Sequence, residues 1–113
     1  MSEGAIPTVD ISGVPDPLPE RLTILDVRED VEWRHGHIEG ALHIPLTEIM
    51  ARLEEVPEGQ TLVVCKVGGR SAQVVAYLQS LGRDVVNLEG GMVDWVAAGR
   101  PMVSETGTAP QVV

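Results

Sequence analysis

The sequence contains no phenylalanine, one tyrosine, two tryptophans and a single cysteine in 113 residues. Without phenylalanine, the interior has to be filled by Val, Leu, Ile and Ala. One cysteine excludes an internal disulfide, and a lone thiol is most easily kept reduced in the cytosol, the expected compartment. Basic side chains are also scarce: eight Lys and Arg stand against seventeen Asp and Glu, a formal charge of -9. That field repels phosphate backbones and anionic lipid surfaces, so nucleic acid and membrane are set aside as partners. Any anion-binding site in such a chain must supply its own local donors. No apolar run approaches the ~20 residues of a membrane span. The start, MSEGAIPTVDIS, has no basic patch followed by a long apolar stretch of the kind that directs export.

What remains is ordinary for a globular protein, with 43% apolar and 22% charged residues and enough chain for one hydrophobic core. The domain is assigned to residues 5–103. The polar, aperiodic SETGTAPQVV at 104–113 is expected to be a flexible C-terminal tail.

Short β-rich runs alternate with helical patterns, which predicts βαβ units around a mostly parallel sheet. Strands are expected at Thr8 to Ile11, Leu22 to Val27, Ala41 to Ile44, Thr61 to Cys65 and Asp84 to Asn87. The runs LTILDV and LVVC are continuously apolar and so belong at the centre, covered on both faces. The spacing predicts a helix over Ser71 to Leu81, with one stripe of Ala72, Val75, Ala76 and Gln79, a neighbouring one of Val74, Leu78 and Leu81, and Gly82 as its stop. Further helices are predicted over Thr47 to Glu54, with Ile49, Met50 and Leu53 inward, and over Met92 to Ala98.

The stretch LVVCKVGGRSA, Leu62 to Ala72, concentrates the chemistry. A strand ends at Cys65, a tight loop of Lys66, Val67, Gly68, Gly69 and Arg70 follows, and a helix begins near Ser71. Glycines let the loop turn its N–H groups inward, and the helix N-terminus adds partial positive charge; together they make an anion cradle. A thiol at its centre, with Lys66 or Arg70 nearby, has a lowered pKa and is a nucleophile at neutral pH. Against this stands the plain alternative that Cys65 is a small buried hydrophobe at a strand end, as most free cysteines are. The cradle reading requires that amides rather than carbonyls face the sulfur, and that the sulfur can be reached.

The chain resembles the single-domain rhodaneses, a family of sulfurtransferases. The resemblance spans about Ile6 to Met102 and rests on LDVRE (Leu25 to Glu29), GHIEGALHIP (Gly36 to Pro45), VVCKVGGRSA (Val63 to Ala72) and LEGGMVDW (Leu88 to Trp95). It implies an α/β, rhodanese-like fold: a five-stranded, mostly parallel sheet with helices on both faces. It further implies that Cys65 is the catalytic nucleophile, taking a sulfane sulfur from a donor such as thiosulfate or a persulfide and passing it to cyanide or a thiol. Thioredoxin or a sulfur-accepting protein are acceptors of this kind. Lys66, Val67, Gly68, Gly69, Arg70 and Ser71 would form the persulfide-binding loop, with Arg70 or Lys66 meeting the donor's oxygens. Asp26 and Arg28, at the end of the second strand, would support it from behind, Asp26 accepting from loop donors and Arg28 paired with a carboxylate such as Glu29 or Glu39. A salt bridge that simply fixes the fold is an equal reading of Arg28. No cofactor is implied.

Two alternatives remain open. Phosphatases and arsenate reductases of the same fold use a Cys-x5-Arg loop, one residue longer than the Cys-x4-Arg of Cys65 to Arg70, and the shorter ring suits one sulfur atom better than a phosphate. A non-catalytic rhodanese module for binding or regulation usually lacks the cysteine. His35, His37 and His43 suggest a metal, but too few ligands accompany them and none is expected. Gly90 and Gly91 are read as letting the chain pass close to the cysteine loop, and Trp33 and Trp95 as packing groups.

Overall fold

The computed structural model describes residues 5–113. Five strands form one sheet: β1 (Thr8–Val9), β2 (Thr23–Asp26), β3 (Leu42–His43), β4 (Thr61–Val64) and β5 (Val85–Leu88). The spatial order is β1-β5-β4-β2-β3, and every pairing is parallel. Three helices complete the frame: α1 (Asp30–His35), α2 (Gly69–Ser80) and α3 (Gly91–Ala97).

The apolar runs end up where their composition requires. All four residues of β4 are buried, and β2 beside it is buried over its last three. Alternate side chains of these strands sort into two layers, as a two-residue repeat demands. Leu25, Val63 and Cys65 join Val74, Val75 and Leu78 of α2 in one core, while Ile24, Leu62 and Val64 join Met92 and Trp95 of α3 in the other. Each fully buried Val or Leu contributes about 1.5–3 kcal/mol, so two such layers provide the main stabilisation of the domain.

Helix α2 begins two residues before the predicted start, and Gly82, with φ +83°, follows the capping residue Leu81. Its inward stripe is Ser71, Val74, Val75 and Leu78; Ala76, Gln79 and Leu81 of the expected stripes are exposed. The helix predicted over Thr47 to Glu54 does not form. Two 3-10 turns, Leu46–Glu48 and Leu53–Glu55, take its place, leaving Ile49 buried but Met50 74% exposed. Ile49 anchors the segment with Leu46 and Leu53 partly buried against the same core, but with Met50 turned to solvent these do not make the continuous stripe of a full helix.

Helix α1 was not expected. It is a six-residue helix with no fully buried residue, so it carries no apolar repeat to read. Glu32 Oε1 accepts from Glu29 N–H at 2.9 Å and closes its first turn. Residues of the C-terminal stretch run beside it: Glu105 N–H donates to Arg34 O, Gln111 N–H to His35 O, and Trp33 Nε1–H to Glu105 Oε2.

Candidate active site

The sheet is parallel, so β2, β4 and β5 end on the same edge, where the βα loops gather. Cys65 is the first residue past β4. Its Sγ accepts from Gly68 N–H at 3.1 Å and lies 3.3 Å from Ser71 Oγ. Gly68 has φ +112°, the left-handed side that glycine tolerates, and this turn aims its N–H back at the sulfur.

The loop carbonyls point elsewhere. Cys65 O accepts from Met92 N–H at 2.9 Å and Lys66 O from Val93 N–H at 3.1 Å, both in the first turn of α3. That approach needs Gly91 (φ +54°): a Cβ there would stand 2.4 Å from Cys65 O and 2.6 Å from Lys66 O. Gly91 therefore lets α3 approach the cysteine loop, and α3 holds the Cys65 and Lys66 oxygens in its own hydrogen bonds.

Burial is the largest influence on the thiol and pushes its pKa up. The Ser71 hydroxyl and the N–H groups of Ser71, Gly68 and Val67 favour the anion and together outweigh burial, so the pKa lies below the ordinary 9.0. Amides rather than carbonyls face the sulfur, as a cradle requires. Access is different. Cys65 is 1% exposed and packs in the α2-side core, so the resting loop does not leave the sulfur open. The rim above it is Val67, 61% exposed, and the exposed Gly69.

The two loop cations are placed differently. Arg70 makes a bidentate pair with Glu32 of α1, at 2.7 and 2.9 Å. The Glu32 carboxyl has its pKa lowered, first by its hydrogen bond with Arg70. Lys66, half-buried, has no carboxylate within 4.0 Å among the described residues. The free cation at this loop is therefore Lys66, whereas Arg70 already has an anion.

Asp26 and Arg28 are fully buried and pair with each other. Asp26 Oδ1 accepts from Arg28 Nε at 2.9 Å and from its N–H at 3.1 Å, and Oδ2 accepts from Nη2 at 2.7 Å. Nη2 also donates to Gly36 O at 2.7 Å. The expected partners were loop donors for Asp26 and Glu29 or Glu39 for Arg28. Two side chains two positions apart at a strand end meet directly instead, and Arg28 then ties β2 to the end of α1.

The histidines bond to main chain: His35 Nδ1 to Val31 O, His37 Nδ1 to Trp33 O, and His43 Nε2 to Arg28 O. Trp33 stacks with both His37 and His43, with centroids 3.6 and 4.6 Å away. Trp95 is 1% exposed and packs under α3. Among the described residues, no three His, Cys, Asp or Glu side chains converge as metal ligands.

Two residues at this site escaped the sequence reading. Asn87, 5% exposed on β5, has its Oδ1 2.5 Å from Ser71 Oγ. A lone amide inside the apolar run VVNL was the available signal, because a buried polar side chain needs a partner. Glu32 is the other, and nothing in the sequence spacing joins it to Arg70, 38 residues away.

Comparison with known proteins agrees with this architecture. The model of the family described as the rhodanese-like domain matches residues 14–98. A protein of Allochromatium vinosum named "Sulfurtransferase" is 38% identical over 91 residues, covering 78% of this chain and 84% of that one. The crystal structure of a rhodanese-related protein from Thermoplasma volcanium superposes with a TM-score of 0.80 at 31% identity, over 86% of this chain and 97% of that one. A rhodanese-like domain protein from Staphylococcus aureus gives a TM-score of 0.75 at 30% identity, over 94% and 100%. Family match, sheet order and the glycine-shaped loop after β4 agree: this chain belongs to the rhodanese-like domain family.

Proposed function

We propose that the protein is a sulfurtransferase in which Cys65 carries the sulfur as a persulfide. The observation that bears most weight is the Gly68 N–H donating to a sulfur whose neighbouring carbonyls are held by α3. The relative named "Sulfurtransferase" supports the same reaction class.

With thiosulfate as donor, the Cys65 thiolate attacks the sulfane sulfur. A new S–S bond forms, the bond to the sulfonate breaks, and sulfite leaves with the bonding electron pair. Cyanide or a thiolate then attacks the outer sulfur and the electron pair returns to Cys65 as thiolate, a double displacement with ping-pong kinetics. The N–H groups of Val67, Gly68 and Ser71 stabilise the anion before and after transfer. Lys66 is the cation left to meet the donor's oxygens. The outer sulfur of the persulfide stands about 2 Å beyond Sγ, nearer the loop mouth than the buried thiol. The Cys-x4-Arg ring favours sulfur over phosphate.

Cys65→Ser should abolish sulfur transfer from thiosulfate to cyanide while leaving the unfolding transition in place. Retained turnover in that variant ends the proposal. One observation favours a second reading, a binding module without turnover: Cys65 is 1% exposed. It predicts that neither thiosulfate nor a small persulfide ever loads the thiol.

A further inference from the structure

The Ser71 hydroxyl carries one proton and faces two acceptors. On one side is Cys65 Sγ at 3.3 Å, on the other Asn87 Oδ1 at 2.5 Å. The shorter contact identifies the amide atom there as oxygen, because 2.5 Å lies within the range of O–H···O bonds and is too short for N–H···O. Asn87 Nδ2 is then directed to Gly68 O at 3.4 Å, a carbonyl that also accepts from Ala72 N–H at 3.1 Å. All three side chains are buried, Ser71 at 0%, Cys65 at 1% and Asn87 at 5% exposure, so no bulk water takes over an unmet bond.

The arrangement fits a neutral thiol: Sγ–H donates to Ser71 Oγ, and Ser71 Oγ–H donates to Asn87 Oδ1. Ionising Cys65 reverses the first bond. The thiolate becomes an acceptor only, and for the hydroxyl to donate to it Ser71 Oγ–H must turn away from Asn87 Oδ1, which then loses that hydrogen bond. From this geometry we infer that Asn87 is a positioning residue that governs the ionisation of Cys65 through Ser71, competing with the thiolate for the serine proton. This deepens the proposed function and rests on it for its catalytic meaning, since sulfur attack uses the thiolate.

The charged groups on the surrounding elements have no hydrogen bond to Sγ. They are Lys66 and Arg70 on the loop, Glu32 of α1 on Arg70, the Asp26–Arg28 pair at the end of β2, and Glu89 and Asp94 around the start of α3. Arg70 acts on the sulfur through space alone, and the variants below leave all of these groups in place.

Ultraviolet absorbance of the thiolate, titrated against pH with Cys65→Ser as the blank, reads this single thiol without requiring turnover. Asn87→Leu keeps the side-chain size and removes the competing acceptor; the thiol pKa should fall by about half to one unit, the equivalent of one hydrogen bond. Ser71→Ala should raise it. In the Ser71→Ala background, Asn87→Leu should no longer move it, because the route through the hydroxyl is gone. A rise or no change with Asn87→Leu, or an equal shift in the Ser71→Ala background, overturns the inference. Should Asn87→Leu not fold, Asn87→Val, suited to a strand, is read against the same outcomes. Sulfur transfer measured alongside separates the two claims: an inactive protein that shows these shifts refutes the proposed function and keeps the inference.

Discussion

The Asp26–Arg28 pair offers the sharpest separation of fold from chemistry. Both side chains are fully buried, joined through Nε–Oδ1 at 2.9 Å and Nη2–Oδ2 at 2.7 Å, and among the described residues Nη2 is the one side-chain donor to Gly36 O. Removing one partner leaves a buried charge uncompensated, which costs about 3–5 kcal/mol, out of a total stability of ~5–15 kcal/mol for a domain of this kind. Asp26→Leu and Arg28→Met should each lower the thermal midpoint by about 12–20 °C, at roughly 4 °C per kcal/mol. The double variant carries no orphaned charge and should recover most of that loss. It should retain a deficit of about 1–3 kcal/mol, because Gly36 O has lost its donor. Differential scanning and urea unfolding of the four proteins close the cycle. Below each midpoint, turnover per folded molecule should stay near that of the parent, since the hydrogen bonds of both side chains go to each other and to Glu32 O and Gly36 O rather than to the cysteine loop. The reasoning fails if the single variants lose less than about 1 kcal/mol, which would deny the cost of the orphaned charge, or if a variant stays folded yet loses turnover, which would make the pair part of the sulfur chemistry.

Other consequences can be checked separately. Gly68→Val forces a β-branched residue to φ +112°, at a cost of roughly 1–3 kcal/mol, and turns its N–H from the sulfur, so urea unfolding should show a modest loss while turnover falls by more. Because the folded thiol ionises below the ordinary 9.0, the parent should gain stability over Cys65→Ser as pH rises from the folded pKa to about 9. Above that the difference should be flat, and as pH falls below the folded pKa its pH-dependent part should vanish, leaving a constant offset. Glu32→Gln keeps the acceptor for Glu29 N–H and frees Arg70; with the pair partly exposed, KM for thiosulfate should fall by about fivefold, for ~1 kcal/mol. The depressed Glu32 pKa also means its stabilisation is complete above about 4.5 and lost as pH falls through the folded value, so this variant should show a shallower acid limb.

Continuous apolarity made β2 and β4 legible as central strands, and the glycines around Cys65 and at Gly90 and Gly91 marked the close passages that the structure contains. Local patterns of that kind survive folding because each is enforced by backbone sterics or by burial on both faces. The predicted helix over Thr47 to Glu54 failed where periodicity alone supported it, since Met50 finds no surface to cover. Helix α1 gave no period to read, being held by a cap and by Arg28. Partners distant in sequence were the least legible: Glu32 with Arg70, and Asn87 with Ser71, depend on how β5 and α1 come to lie beside the loop. The exposure of Cys65 is likewise a property of packing, which the loop sequence does not encode.

Intact-mass measurement after incubation with thiosulfate tests sulfur loading most directly. The parent should gain one sulfur atom, cyanide should remove it, and Cys65→Ser should gain none. A parent that stays unloaded, or a Cys65→Ser protein that still gains sulfur, contradicts the account.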